Sequence, residues 1–216
     1  VFRWFGTSKC VLSASADTNT TSDDNNITFG GLVYGTVTSP VTNKIWLDRN
    51  LGATKVCTSM SDKACYGDYY QWGRDADGHE KSNSPVTATQ ASSLSVGSSS
   101  FIAGYYDWTT DDSSGTYRSN NWNPCPTGYR IPTANEFKDE NLTNAQDAFD
   151  KLKLTNSGFR TDGTGEVVSV EEHGYYWSSS LDANSNTQQL DLYINFASIF
   201  PTVHRAEGDH IRCIKE

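Results

Sequence analysis

The chain has 216 residues, enough for one domain that buries about 70% of the surface its unfolded form exposes, so stability alone calls for neither metal nor disulfide. Seventeen basic against 26 acidic side chains leave a formal charge of −9, which repels a phosphate backbone and excludes nucleic acid as an expected partner. No apolar run approaches the roughly 20 residues that span a bilayer, so membrane insertion is not expected.

The sequence opens at Val1 with no initiator Met and no signal peptide, as expected of a processed product or a fragment of something longer. Residues 1–31 read as an N-terminal segment and flexible linker, because residues 13–26 are nearly all Ser, Ala, Thr, Asp and Asn with nothing apolar to anchor them. The folded domain is expected over 32–216. Short β-type runs at Ile27-Thr28-Phe29, Leu32-Val33-Tyr34 and Lys44-Ile45-Trp46-Leu47, broken by Gly30-Gly31, Gly35 and Ser39-Pro40, predict hairpins.

Five cysteines, Cys10, Cys57, Cys65, Cys125 and Cys213, form no CxxC pair and have no His at finger spacing, which argues against zinc and for disulfides. A Cys57–Cys65 bridge would close a short polar loop, and Cys125–Cys213 would be a long-range staple contributing on the order of 4 kcal/mol in the chain-entropy model. Such bridges imply an oxidising compartment. Cys10 is left over, open to a partner before Val1, a partner in another chain, or none.

Between the cysteines, Tyr66 to Gly73 packs four aromatics around Gly67 and Asp68, with a periodicity ambiguous between a short helix and a turn. Residues 82–100, rich in Ser, Thr and Ala, read as a long surface loop. Two short helices are expected in the middle. Thr133 with Glu136 three residues on forms a capping box behind Pro132, and residues 145–154 carry apolar side chains at helical spacing. Beyond Gly158 the pattern returns to strands. Leu190, Leu192, Ile194 and Phe196 alternate with Gln189, Asp191, Tyr193 and Asn195, so the first set is expected in the core and the second outside. Residues 197–210 are expected as loops, with Ile199, Phe200 and Val203 either an apolar binding patch or a plug on the core.

Several strings go beyond composition: Ile45 to Ala53 (IWLDRNLGA), Tyr66 to Arg74 (YGDYYQWGR), Asn123 to Thr133 (NPCPTGYRIPT), Gly174 to Ser180 (GYYWSSS) and Ile211 to Lys215 (IRCIK). In this order and spacing they resemble the Fibrobacter succinogenes major paralogous domain family, a branch of the formylglycine-generating-enzyme-like C-type lectin fold. The resemblance covers about 32–216. It implies an α+β, C-type-lectin-like fold with paired terminal strands, two short helices, small antiparallel sheets and long irregular loops supported by buried Trp and Gly. The C-terminal stretch also looks like the variable region of proteins targeted by diversity-generating retroelements. By that analogy Gly174 to Ser180, Arg205, Gly208, Arg212 and Cys213 would be fixed scaffold, and Gln188, Gln189, Asp191, Tyr193, Phe200, His204, Glu207, Asp209 and His210 the exposed ligand-binding candidates.

Catalysis of the formylglycine-generating kind would need a pair of reactive thiolates near the C-terminus, and only Cys213 lies there, so no enzymatic activity is expected. His79, His173, His204 and His210 sit in no nucleophile motif and read as surface side chains. No cofactor is expected beyond calcium, for which Asp75 and Asp77 are the candidate ligands in a loop that matches no EF-hand. Trp46, Trp72, Trp122 and Trp177 read as core, Trp108 in its loop is less clearly assigned, and Arg49, Arg74, Arg130 and Arg212 read as forks tying loops to the scaffold. The resulting expectation is a non-catalytic recognition domain of a bacterial surface, secreted or phage protein. Its location would be extracellular, on a cell surface or a virion, and its partner a protein or glycan. The rival expectation is a structural domain that packs its C-terminal face against another subunit.

Overall fold

The computed structural model describes residues 26–112 and 115–216. Cys10 and the expected linker up to residue 25 lie outside them. In chain order the strands before the first helix are β1 (Ile27–Phe29), β2 (Leu32–Tyr34), β3 (Thr36–Thr38), β4 (Ile45–Leu47), β5 (Tyr70–Gln71), β6 (Val86–Thr87) and β7 (Phe101–Ile102). Helix α1 (Thr116–Asn121), β8 (Tyr129–Arg130), α2 (Ala134–Asp139) and α3 (Ala145–Leu152) form the middle. The strands β9 (Ser157–Arg160), β10 (Val167–Val170), β11 (Gly174–Leu181), β12 (Thr187–Tyr193), β13 (Phe196–Val203), β14 (Gly208–Asp209) and β15 (Ile214–Lys215) complete the chain. The architecture is α+β, mostly sheet, with three short α-helices among the described residues rather than the two expected. The extra one, α1, is a polar six-residue turn with no apolar periodicity to announce it.

A seven-stranded sheet runs in the order β13-β12-β11-β9-β14-β5, with β10 on the other flank of β9; a four-stranded sheet runs β3-β4-β15-β8. The last strand therefore inserts between β4 and β8, so the two ends of the domain close on each other. The hairpin β1–β2 turns at Gly30 and Gly31, whose φ of +57° and +76° suit the tight two-residue turn that favours glycine. Ile27 and Leu32 both pack against the core, so this hairpin straddles the boundary expected at residue 32.

The helices α2 and α3 start as their sequences dictate. Thr133 accepts a hydrogen bond from the Glu136 amide and Glu136 accepts one from the Thr133 amide, a closed capping box, while Asn144 caps α3 through the Asp147 amide. Phe137, Ala148 and Leu152 then pack with Trp46, Tyr176, Leu190 and Leu192 in one core. A second core gathers Trp72, Trp122, Trp177, Ile211 and the Cys125–Cys213 bridge. Both expected disulfides are formed, with Cα separations of 5.3 Å at Cys57–Cys65 and 5.9 Å at Cys125–Cys213. Cys213 thus offers no free thiolate.

All four tryptophans read as core are buried, and Trp108 joins them, its indole N–H donating to Trp72 O. The arginine forks hold loops as expected. Arg212 donates to the carbonyls of Leu47, Leu152 and Lys153 and to Asn50. Arg74 reaches Ser98 O and Ser100 O, tying down the long loop; Arg49 holds Val33 O and Ala53 O; half-exposed Arg130 forks onto Glu136. Within residues 82–100 only β6 is regular, pairing in parallel with β7. Among the described residues no helix is long and apolar enough to cross a membrane.

Candidate recognition face and acidic cluster

The sheet β11-β12-β13 carries the expected binding residues, but its geometry redistributes them. Cross-strand rows run Tyr175–Asp191–Ser198 and Trp177–Gln189–Phe200 on one face, and Tyr176–Leu190–Ile199 on the other. Leu190 and Leu192 face the helices as the alternation requires. The alternation then breaks: β12 ends at Tyr193, the chain turns at residues 194–195, and Phe196 pairs back with Tyr193. Ile194 (68% exposed) and Phe196 (37%) are therefore outside, contrary to the expectation that both are core.

Residues 197–203, expected as loop, belong with Phe196 to the eight-residue strand β13, which forms the edge of the sheet. Ile199 packs against the helical core, Val203 is buried in the other core, and Phe200 stays 46% exposed.

Four of the nine binding candidates are corrected by burial. Gln189 and Asp191 point away from the helices yet are buried, because that face of the sheet, on which Trp177 of β11 neighbours Gln189, packs into the second core. Asp191 is held by His173, whose Nδ1 lies 2.8 Å from its carboxylate; burial raises the Asp191 pKa, opposed by that contact. His210 is fully buried, its ring against Tyr69 and its Nδ1–H donating to Asp68 O, and desolvation lowers its pKa to about 4. Asp209 is fully buried and neither carboxylate oxygen has a hydrogen-bond partner; desolvation, then repulsion from Glu207 and Asp191, pushes its pKa well up. His79, expected on the surface with His210, is also buried. Gln188, Tyr193, His204 and Glu207 are half-buried, so with Phe200 they remain accessible.

A run of rings crosses this face. Phe159 meets Tyr175 at 4.8 Å, Tyr175 stacks with His173 at 5.3 Å, His173 with Tyr193 at 4.5 Å, and Tyr193 contacts Phe196 at 5.4 Å. Strand pairing assembles it from β9, β11, the residue before β11, and the β12–β13 turn. Tyr193 was legible in the alternation; Phe159, His173, Tyr175 and Phe196 were not, since their meeting depends on register.

Two clusters of acid and histidine lie elsewhere, each with ligating atoms within 4.8 Å of one another. In Asp77–His79–Glu80 every group is spoken for. His79 Nε2 accepts from the Gln71 amide, its Nδ1–H donates to Asp77, Asp77 pairs with Arg74, and Glu80 takes the Gly78 amide. The calcium candidate Asp77 is thus engaged with an arginine and a histidine, while Asp75 is exposed outside this cluster. In Asp162–His204–Glu207, His204 Nδ1 lies 2.7 Å from Asp162 and 4.0 Å from Glu207, with Tyr106 packed on its ring at 4.2 Å. Burial, then the charge of Asp162, raises the Glu207 pKa to about 7. His204 and His210 do not converge, since His210 is bound into the interior.

This geometry defines a class only: a disulfide-bonded, mostly sheet domain that presents an aromatic face and, separately, an acid–histidine cluster. No protein-family model matches the chain, and searches of curated proteins and of solved structures return no match.

Proposed function

We infer that this is a non-catalytic recognition domain of C-type-lectin-like fold, related to the Fibrobacter succinogenes major paralogous domain family, that takes a protein or glycan partner on the aromatic face. The family reading is supported by its five sequence strings, by β15 closing against β4, and by long irregular loops held by buried Trp and Arg. The observation that carries the binding reading is the exposure of Ile194, Phe196 and Phe200 beside the half-buried Tyr193 and His173 on a rigid sheet. Amphipathic rings on a pre-organised scaffold supply contact area at little entropic cost. Two disulfides are compatible with an extracellular address, on a bacterial surface, a secreted protein or a virion.

By the same analogy the accessible positions Gln188, Tyr193, Phe200, His204 and Glu207 are those a diversity-generating retroelement would vary. A reverse-transcriptase gene and a near-copy of the 3′ coding region beside this gene are the expected genomic signature. The binding test is a glycan array and a panel of intact bacterial cells probed with the domain. Replacing Tyr193 and Phe200 together with Ala is expected to abolish the signal while the melting temperature stays within a few degrees. Retained binding would move the site elsewhere, and a large loss of stability would make the two rings core. The assembly reading is favoured by one observation, that β13 is a sheet edge bearing exposed aromatics. Light scattering on the purified chain distinguishes the two: a monomer supports ligand recognition, and a tight oligomer disrupted by the same double substitution supports assembly.

A further inference from the structure

We propose that Asp162, His204 and Glu207 form a binding site for a divalent transition cation, zinc or manganese, which does not depend on the recognition reading above.

The case begins with how the three residues meet. Asp162 sits in the tight turn that follows β9, closed by the Thr161 amide donating to Glu166 O and the Gly165 amide to Thr161 O. His204 and Glu207 belong to the turn between β13 and β14, closed by the Glu207 amide donating to His204 O. These turns are about forty residues apart in sequence, yet Asp162 Oδ2 and His204 Nδ1 are 2.7 Å apart and Glu207 Oε1 is 4.0 Å from the same nitrogen. Zinc bonds to nitrogen and oxygen are about 2.0–2.2 Å, which spaces ligand atoms about 3.4 Å apart around a tetrahedral ion. The cluster needs shifts of about an ångström to close on an ion, within the reach of half-buried side chains. Binding would displace the proton that Nδ1 now shares with Asp162.

The second line is charge. Among the described residues no lysine or arginine pairs with Asp162, Glu207 or Asp209; the one basic group in contact with the first two is His204. Asp209, two residues beyond Glu207, is fully buried with both carboxylate oxygens lacking any hydrogen-bond partner. Buried carboxylates are ordinarily paired or bound to metal. A dication there would supply the positive charge that Asp162 and Glu207 lack.

The third line is ligand type. One imidazole with two carboxylates is a borderline donor set that suits zinc and manganese, whereas calcium takes oxygen ligands. Tyr106 packs on the imidazole ring, three protein ligands leave a position of a tetrahedral ion open, and Asp162 and Tyr106 also line a groove of about 440 Å³ with Gly104, Tyr105 and Gly163. An ion there would tie the turns after β9 and β13 together at the rim of the sheet. The other cluster, Asp77–His79–Glu80, lacks this capacity because both ring nitrogens of His79 are already used.

The experiment is calorimetric titration of the untagged, chelator-stripped chain with zinc, manganese and calcium chlorides, together with the visible spectrum of the cobalt(II) form. One zinc or manganese ion per chain is expected, with calcium weaker, and His204→Ala and Glu207→Gln should each weaken binding at least about tenfold. Asp77→Asn should leave it unchanged. Circular dichroism of each variant establishes that it folds, and Glu207→Gln, close to isosteric, keeps the test decisive if His204→Ala does not. Absence of zinc and manganese binding, binding unaltered in both variants, or a preference for calcium would each overturn the proposal.

Discussion

Two clusters built from the same residue types, one Asp, one His and one Glu, behave oppositely in this molecule. Around His79 the chain is local, residues 77–80, and the surrounding backbone uses every polar atom: an amide donates into Nε2, Asp77 receives Nδ1–H, and Arg74 neutralises the carboxylate. Around His204 the members come from two distant turns, no Arg or Lys among the described residues pairs with Asp162 or Glu207, and the carboxylates crowd one another. Identical chemistry thus becomes a structural knot where hydrogen bonds close it, and a binding site where they do not.

The largest effect expected from this contrast is at the knot. His79→Ala leaves the buried Gln71 amide without its acceptor and opens a cavity, and should cost about 3 kcal/mol in chemical denaturation. A cost below about 1 kcal/mol would remove the distinction between the clusters. Next is the pH dependence of the open site. With a folded pKa near 7 against an unfolded 4.5, Glu207 keeps its proton in the folded chain while the unfolded chain loses its own. The stability it contributes is complete below pH 4.5 and lost as pH rises through 7. In buffer containing a chelator, Glu207→Gln should therefore gain on the parent chain by up to about 3 kcal/mol between pH 4.5 and 8. A flat difference would mean that the carboxylate is not desolvated.

His210 sharpens the comparison from the other side. Its folded pKa of about 4 lies below the unfolded 6.5, so stability is lost as pH falls from 6.5 toward 4, the opposite sign to Glu207. Its imidazole resonances should titrate near 4 by NMR; a midpoint near 6.5 would place the ring in solvent. The smallest effect is expected for His204→Ala in metal-free buffer, under about 1 kcal/mol, because a half-exposed polar contact like that with Asp162 stabilises little.

Local signals in the sequence carried through to the structure. The Thr133–Glu136 capping box, the Gly30-Gly31 hairpin and the short Cys57–Cys65 loop each depend on residues a few positions apart, and each formed as expected. The Trp and Arg assignments also held, since a large ring or a five-donor fork within a polar, irregular chain has few places to go but the junctions between loops and core. The C-terminal face was half legible. Tyr193 and Phe200 remain on it, but extending the alternation past residue 193 sent Ile194 and Phe196 to the wrong side, because the turn at 194–195 is Ile-Asn, with no Gly or Pro to mark it and an apolar residue that fits the strand pattern.

What the sequence determined by itself is the first hairpin, the capped start of α2, and the covalent staples, because these follow from short-range hydrogen bonding, steric preference and cysteine spacing. Which side of a strand meets solvent was decided by the tertiary structure alone. Alternation states that Gln189 and Asp191 face away from Leu190, and only the packing of that face, Trp177 with it, into the second core decides that this side too is covered. The same holds for the meeting of Asp162 with His204 and Glu207. Their approach is set by the register of β9 with β14 and β11, a property of strand pairing that none of the three residues encodes.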